Sequence, residues 1–335
     1  MAASPDVENR VEDASRTRSR EVATQVLLAG SALLVLAVPF LGASPFFITL
    51  LTEALIFGIW AMSLDLLVGY TGLVSFGHAA SFGFATYAAG IFAMNVSADF
   101  FLATIVAIIT AAAVAFLTGL VVTRLSGIAF AILTLCICQV LFQISVVWRS
   151  FTGGLDGLIG VPLPTLFGRE VEPGEEFYLL TAASLIVCYL LLRRLVESPF
   201  GKTLLAIRAN EDRAAAIGID VRRHKLVILI LSWMTGGVAG SLFVFLKAGA
   251  NPMTLYWIES GNILAITILG GIGTLFGPII GSIGFIFIRD QVTTMYRAWQ
   301  FSFGLAFVLA VLFMPSGIAG IAERIWRRLW PARSS

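Results

Sequence analysis

The triplet Gly-Lys-Thr at 201–203 matches the end of a phosphate-binding loop, where a lysine and a hydroxyl contact the phosphates of a nucleotide. The full motif, G-x-x-x-x-G-K-[ST], also needs an earlier glycine, because a tight turn there aims backbone N–H groups at the phosphates. Val196 occupies the position of that glycine. Pro199 has no backbone N–H, so the loop would also lack one of the amides that bind phosphate. The polar stretch around the triplet has about 30 residues, whereas a nucleotide-hydrolysing domain needs at least about 50. The sequence therefore predicts that this chain does not hydrolyse ATP itself.

Two acidic residues and one histidine lie within or beside apolar runs. Glu53 and Asp65 are separated by about 18 Å along a helix, which is too far for an acid/base pair. His78 is either a functional group, because ionisable groups inside a bilayer are costly and tend to be functional, or a neutral ring bonded to a nearby carbonyl. His224 lies in the polar stretch, where we expect it to be solvated.

The cysteines give no sign of a metal site. Cys136, Cys138 and Cys188 lie inside apolar runs, where we expect small core residues. The first two do not share a helix face, and no histidine lies near them. Neither H-E-x-x-H nor G-x-S-x-G occurs. We therefore predict no metal, no cofactor, no disulfide and no enzymatic activity.

The elements that position these residues are expected to be membrane helices. The chain is 58% hydrophobic and 13% charged, with a mean hydropathy of +0.93, which is far from the composition of soluble proteins. A further apolar region, 260–288, is cut by glycines and Pro278 into two pieces, which predict two short spans or a re-entrant hairpin. Full spans are predicted at 25–42, 47–68, 72–94, 100–122, 127–148, 177–194, 226–247 and 300–316. The sequence thus predicts an all-α, polytopic membrane helix bundle with about 8–10 spans.

Basic residues predict the orientation of this bundle. An even number of crossings places most of the 22 lysines and arginines on one face, which the positive-inside rule makes cytoplasmic. Both termini are then cytoplasmic, with a tail at 1–24, a transmembrane domain at 25–317 and a second tail at 318–335. A cleaved signal peptide is disfavoured, because the polar leader is long and mixed in charge. The net charge of +2 therefore reflects orientation and gives no indication of nucleic-acid binding.

The cytoplasmic loop at 195–225 contains a segment typical of a helix. Thr203 to Ala216 is rich in helix formers, and Gly218 is a natural stop. Pro199 and Gly201 are read as breakers before it. The segment is either a docking surface or a solvated linker. Its polar surface would carry Arg208, Glu211, Asp212 and Arg213, and its apolar contacts would be Leu204, Leu205, Ile207 and Ile217.

Two other segments stand out by their glycines. In 69–90, glycines interrupt an apolar run, which indicates either close helix packing or a broken helix whose free N–H groups could hold a carboxylate. Gly83 and Gly90 fit the packing explanation better. The outer loop contains TGGLDGL at 152–158, which is a docking loop or an ordinary connection. Its glutamates, Glu170, Glu172, Glu175 and Glu176, are expected to face solvent.

Four segments together resemble one family. FGKTLLAIRANEDRAAAIGIDVRRHKL resembles the cytoplasmic coupling loop of permease subunits in bacterial branched-chain amino acid ABC transporters. GYTGLVSFGHAASFGFATYAAG, TGGLDGL and LGGIGTLFGPIIG resemble signature segments of the same family, in the same order. The resemblance covers roughly 45–315, and TGGLDGL with the long leader is more similar to the larger, M-type permease.

The resemblance implies a function and its partners. The partners would be two ATPase subunits, a second permease and an extracytoplasmic binding protein, assembled in the bacterial inner membrane. The substrate would be leucine, isoleucine or valine, although similar permeases carry urea or short amides. Implied pathway residues are Ser75, Phe76, Gly77 and His78; ATPase-coupling residues are Phe200, Gly201, Arg208, Asn210, Glu211 and Gly218; outer-gate or docking residues are Thr152, Gly153, Gly154, Asp156 and Gly157.

Two other transport mechanisms remain as alternatives. A secondary transporter could use the interrupted segments 69–90 and 269–281 as paired broken helices, but the two segments do not align beyond their glycines. A channel is disfavoured, because no ring-forming charge pattern or carbonyl filter motif is visible. Dependence of transport on an ATPase subunit would distinguish both from an ABC importer.

Overall fold

The computed structural model describes residues 44–295 and the isolated positions 39, 42, 304 and 317. Apart from those isolated positions, the predicted spans 25–42 and 300–316 and both predicted tails lie outside the described residues. The helices are α1 (Pro45–Thr71), α2 (His78–Asn95), α3 (Phe100–Val122), α4 (Gly127–Val147), α5 (Arg149–Thr152), α6 (Glu175–Glu197), α7 (Pro199–Ala209), α8 (Glu211–Ala216), α9 (Val221–Lys247), α10 (Trp257–Gly270) and α11 (Phe276–Met295).

The described part of the chain is a polytopic helical membrane protein, as predicted. Within it, α1, α3, α4, α6 and α9 are each long and apolar enough to cross a membrane. Their bounds lie within a few residues of the predicted spans, because about 20 apolar residues are needed to cross the bilayer. The region 260–288 forms two helices, α10 and α11, which pack against each other and are joined by 271–275.

Helix α1 is the centre of the bundle. Every residue from Thr52 to Thr71 is buried, and the helix packs against α6, α9, α10 and α11. Helix α9 packs against α1, α2 and α3. At the α3–α9 contact, small residues allow close approach: the alanines at 103, 107, 111 and 115 are fully buried, and Gly237 lies against the α3 backbone.

The loops separate into two ends of the bundle, and the described part of the predicted basic face, the α3–α4 connection and the loop at 195–225, lies at one of them. At one end, Arg222 and Lys225 of α9 donate to the carbonyls of Leu120 and Leu125, which places the α3–α4 connection beside α7 and α8. At the other end, strands β1 (Leu158–Ile159) and β4 (Gly249–Ala250) pair antiparallel. Strands β2 (Thr165–Leu166) and β3 (Arg169–Glu170) form a second short pair in the same outer loop.

Three details of the prediction are wrong. The predicted span 72–94 begins without helix: 72–77 is irregular, and α2 starts at His78. The single helix predicted for Thr203–Ala216 is two helices, because Asn210 is extended (φ −167°, ψ 112°) and its side chain accepts a hydrogen bond from the Arg213 amide as a cap. Pro199 and Gly201 lie inside α7 instead of preceding the helix, and Pro199 can begin it since its missing N–H is harmless in the first turn.

The cysteine prediction holds only in part. Cys138 and Cys188 are buried, as expected, but Cys136 is exposed. The reason is that α4 buries only four of its residues, Phe130, Thr134, Cys138 and Ser145, which follow one face at helical spacing. Cys136 lies off that face.

Candidate transport pathway and coupling surface

The irregular segment 72–77 interrupts the bundle at membrane depth. Ser63 of α1 contacts the first residue of α2, His78, and lies eight residues before the end of α1 at Thr71. Helix α2 therefore begins inside the bundle, at a depth of about 12 Å measured along α1 from the end of α1 at Thr71. Irregular backbone at such depth occurs only where it is buried in protein or lines a cavity.

A groove lies beside this segment. It has a volume of about 450 Å³ and an apolar wall, and that volume is in the range of small-molecule sites. Its lining residues are Gly72, Val74 and Phe76 of the break and Gly127, Ile128, Ala131, Ile132 and Leu135 of α4. Of the four predicted pathway residues, only Phe76 lines the groove.

The other three predicted pathway residues lie behind the groove wall. Ser75, Gly77 and His78 are buried. The hydroxyl of Ser75 accepts a hydrogen bond from the Gly77 amide at 3.3 Å, and Ser260 of α10 accepts one from the Ala79 amide at 2.8 Å. Serine side chains thus occupy amides of the α2 N-terminus that a substrate carboxylate could otherwise bind.

His78 takes part in a polar contact inside the core. The hydroxyl of Ser63 donates to the carbonyl of Trp60 at 2.5 Å, so its oxygen can accept from Nε2 of His78 at 2.7 Å. This arrangement assigns the proton to Nε2 and leaves Nδ1 as an acceptor. Nδ1 is buried and has no hydrogen-bond partner among the described residues. His78 therefore contacts a serine hydroxyl and not the carbonyl that the structural alternative expected, and its place in the pathway stays a prediction.

Helices α7 and α8 dock on the membrane helices through an apolar face. Leu204 and Ile207 of α7 are fully buried. Gly201 must be glycine, because a Cβ there would overlap the carbonyl of Val196. Phe200 stacks on His224 of α9, with ring centroids 5.4 Å apart.

Two of the predicted coupling residues hold α7 and α8 to the bundle. Arg208 donates from Nη1 to the carbonyl of Gly69 in α1. Glu211 accepts from Nζ of Lys225 at 2.6 Å, and the Lys225 side chain is only 3% exposed. Asn210 caps α8, and Arg208, Asn210 and Gly218 are exposed, so the predicted coupling residues include both supporting contacts and positions on the outer surface.

The outer surface of the pair is mixed: exposed apolar residues lie among exposed charged ones such as Lys202, Asp212 and Arg213. Ile217 is 78% exposed and Leu205 is 43% exposed, and Ala206 and Ala209 are exposed beside Leu205. We call these four residues the coupling ridge. The sequence grouped Leu205 and Ile217 with the buried Leu204 and Ile207. The three-residue spacing of Leu204 and Ile207 places those two on one helix face and Leu205 off it. This spacing could have predicted from the sequence that Leu205 is not buried with the other two.

The predicted outer-loop residues form a tight structure at the far end of α9. Thr152 donates to the carbonyl of Ser145 at 2.6 Å, and Gly153, Gly154 and Gly157 all have positive φ. A Cβ on Gly157 would overlap the carbonyl of Ala250 in β4. Asp156 is exposed at the tip.

The outer-loop glutamates differ in their surroundings. Glu170, Glu172 and Glu175 are exposed, as predicted. Glu176 is partly buried and pairs with Arg169 at 2.5 Å.

One cluster was not predicted at all. Glu53 of α1 accepts from Lys247 of α9 at 2.7 Å and from Arg289 of α11 at 2.5 Å. The side chain of Glu53 is only 9% exposed. The partners lie 194 and 236 residues away along the chain, so no local pattern indicates their pairing. The cluster ties three helices together on the side of the outer loop.

Comparisons with known proteins agree with the resemblance of the four segments. The profile of the family described as "Branched-chain amino acid transport system / permease component" matches residues 46–314. The chain is 28% identical to the high-affinity branched-chain amino acid transport system permease protein LivM of Escherichia coli K12, over 86% of this chain and 73% of the relative.

More distant relatives match shorter parts of the chain. The probable branched-chain amino acid transport permease protein LivH of Methanocaldococcus jannaschii is 33% identical over 43% of this chain and 47% of its own length. The L-arabinose transport system permease protein AraH of Escherichia coli K12 is 34% identical over 32% of this chain and 31% of its own length. No solved structure matches the chain significantly.

Proposed function

Because the chain belongs to the family of permease components of branched-chain amino acid transport systems, we propose that it forms part of the pathway of an ATP-driven importer. It is a multi-pass permease of the bacterial inner membrane. The observation that carries the proposal is the match over 46–314, which includes the break, the coupling helices and the α10–α11 pair. The proposed partners are two ATPase subunits, a second permease and an extracytoplasmic binding protein.

The proposed substrates are leucine, isoleucine and valine. The groove beside the break has an apolar wall, and Phe76 lines it. An apolar wall favours a branched aliphatic side chain over urea or a short amide, whose polar groups would lose hydrogen bonds to water there. The permease LivM, to which the chain is similar, is named for branched-chain amino acids.

The proposed contact with the ATPase is the coupling ridge. A short helix with exposed apolar residues suits insertion into a groove of a partner protein. Ile217 is 78% exposed at the end of α8, so a partner surface that covers it would remove apolar area from water. The contact of Arg208 with Gly69 and the ion pair of Glu211 with Lys225 would keep the helix pair rigid when the ATPase moves.

Uptake by cells tests the substrate. Cells that lack the gene are given labelled leucine, labelled arabinose or labelled urea, with and without the gene restored. We expect that only leucine uptake is lost and then restored. Loss of urea or arabinose uptake alone would assign the permease to another substrate.

Copurification tests the ATPase contact. In Ile217→Glu, a charge replaces the most exposed residue of the ridge, so we expect the ATPase no longer to copurify with the permease. Asp212→Glu, at an exposed polar position on α8, is the matched control and should retain the ATPase. Equal retention by both variants would exclude the ridge as the contact.

A further inference from the structure

The turn that joins α10 to α11 is held by a buried carboxylate. Oδ1 of Asp65 accepts from the Gly273 amide at 2.7 Å, and Oδ2 accepts from the Leu275 amide at 3.1 Å. Asp65 is fully buried in α1. Hydrogen bonds to an ionised acceptor are about twice as strong as neutral ones, so this carboxylate fixes the turn firmly to α1.

A second residue of α1 holds the same turn from its carbonyl side. The hydroxyl of Tyr70 donates to the Gly273 carbonyl at 3.0 Å. Between Asp65 and Tyr70, Gly69 allows the turn to lie against the helix, because a Cβ on Gly69 would overlap Gly273. The turn and the last part of α1 are therefore one rigid unit.

The coupling helix reaches this unit through one side chain. Arg208 of α7 donates to the Gly69 carbonyl, and its Nη1 lies 3.6 Å from the position that a Cβ on Gly273 would occupy. The alkyl part of Arg208 lies against Gly72, the first residue of the break. A displacement of α7 would therefore act on the α10–α11 turn and on the edge of the groove at the same time.

The turn between α10 and α11 contains three residues with positive φ, a conformation that residues other than glycine rarely adopt. Gly271 and Gly273 have φ values of 122° and 79°, and Leu275, which is not a glycine, has φ 54°. A leucine at positive φ is strained and persists only where its surroundings hold it. Here the Leu275 amide is bonded to Asp65, and its side chain is only 3% exposed. Release of Asp65 would remove the contact that holds the turn in this strained form.

We propose that Asp65, Tyr70 and Arg208 form an inner latch that transmits the movement of the coupling helix to the α10–α11 turn and to the groove. The three are positioning residues. The inference rests on the proposed function, because it assumes an ATPase that moves α7. It assigns a function to the segment LGGIGTLFGPIIG, whose turn donates to Asp65 and accepts from Tyr70 of α1.

The test uses the purified complex in liposomes with its binding protein. The readout is the number of ATP molecules hydrolysed per leucine taken up, because a purely structural residue would lower both rates together. Arg208→Gln and Tyr70→Phe each remove one contact, and Asp65→Asn removes the charge of the carboxylate. Arg194→Gln, an exposed arginine at the same end of the bundle, is the control.

We expect Asp65→Asn and Arg208→Gln to raise this ratio about fivefold to tenfold, with the ATPase still bound. Tyr70→Phe should raise it less, and Arg194→Gln should not change it. An unchanged ratio in Arg208→Gln and Tyr70→Phe would overturn the latch, even if Asp65→Asn fails to assemble. If the wild-type complex shows no ATP-driven leucine uptake, the proposed function fails instead, before any variant is compared.

Discussion

At the scale of single residues, the predicted coupling positions were found by resemblance, but their contacts required the fold. Glu211 was identified from its motif, yet its partner Lys225 lies 14 residues away on another helix. Sequence reasoning placed Glu211 on a polar surface, because a charged residue in a loop is usually solvated. The structure instead pairs it with a cation whose side chain is only 3% exposed.

Glu211→Lys tests this pairing. The change leaves the Lys225 ammonium buried beside a second cation, and removal of one partner from a buried pair costs about 3–5 kcal/mol. We expect the permease to reach the membrane but to bind the ATPase poorly and to melt at a lower temperature.

Asp212→Lys is the control for this prediction. It introduces the same charge change at the next position, where the side chain is exposed. Equal loss of ATPase binding in both variants would show that charge on the surface matters, and not the pair with Lys225.

At the scale of elements, hydropathy located the spans because the bilayer sets their length, but it did not locate the break. The segment 72–77 is apolar and rich in small residues, so its hydropathy resembles that of the helix that follows it. Its position is decided by tertiary contacts: Thr134 of α4 accepts from the Phe76 amide at 3.2 Å, and Ser260 of α10 accepts from the Ala79 amide. The interruption at Asn210 also depends on a side-chain contact. Asn210 separates the two helices because its side chain caps the second one, α8.

Gly77→Ala tests the packing of the break against α4. A Cβ on Gly77 would lie 2.7 Å from the carbonyl oxygen of Thr134, so the break or α4 must shift. We expect a loss of about 1–3 kcal/mol in stability, which is typical of overpacking, together with reduced leucine uptake. The measurement is the melting temperature of the purified permease and the initial rate of uptake.

Gly261→Ala is the matched control within a helix. No atom lies within 4 Å of the position of its Cβ, so the substitution should be neutral or slightly stabilising. If Gly77→Ala behaved like Gly261→Ala, the close packing of the break against α4 would be wrong.

At the scale of the whole molecule, α1 connects the two ends of the bundle. Toward one end Glu53 binds Lys247 and Arg289, and toward the other Asp65 binds the α10–α11 turn. The sequence showed both acids inside one apolar run and predicted that they are too far apart for an acid/base pair. Its composition could not reveal that each acid fastens different helices, because those partners are distant in the chain.

Glu53→Gln tests the outer cluster. The change removes the charge that two cations share, and hydrogen bonds to charged groups contribute about 1.5–3 kcal/mol each. We expect a lower melting temperature with normal binding of the ATPase, because the proposed ATPase contact lies at the other end. Glu172→Gln, at an exposed position of the outer loop, should leave the melting temperature unchanged. A normal melting temperature in Glu53→Gln would mean that the cluster does not hold the helices together.

The most direct test of the central claim is uptake of labelled leucine by the whole complex in liposomes, with ATP and the binding protein supplied or withheld. We predict uptake only when both are present, and none when the permease carries Ile217→Glu. Leucine uptake driven by an ion gradient without ATP would contradict the claim and would make the chain a secondary transporter.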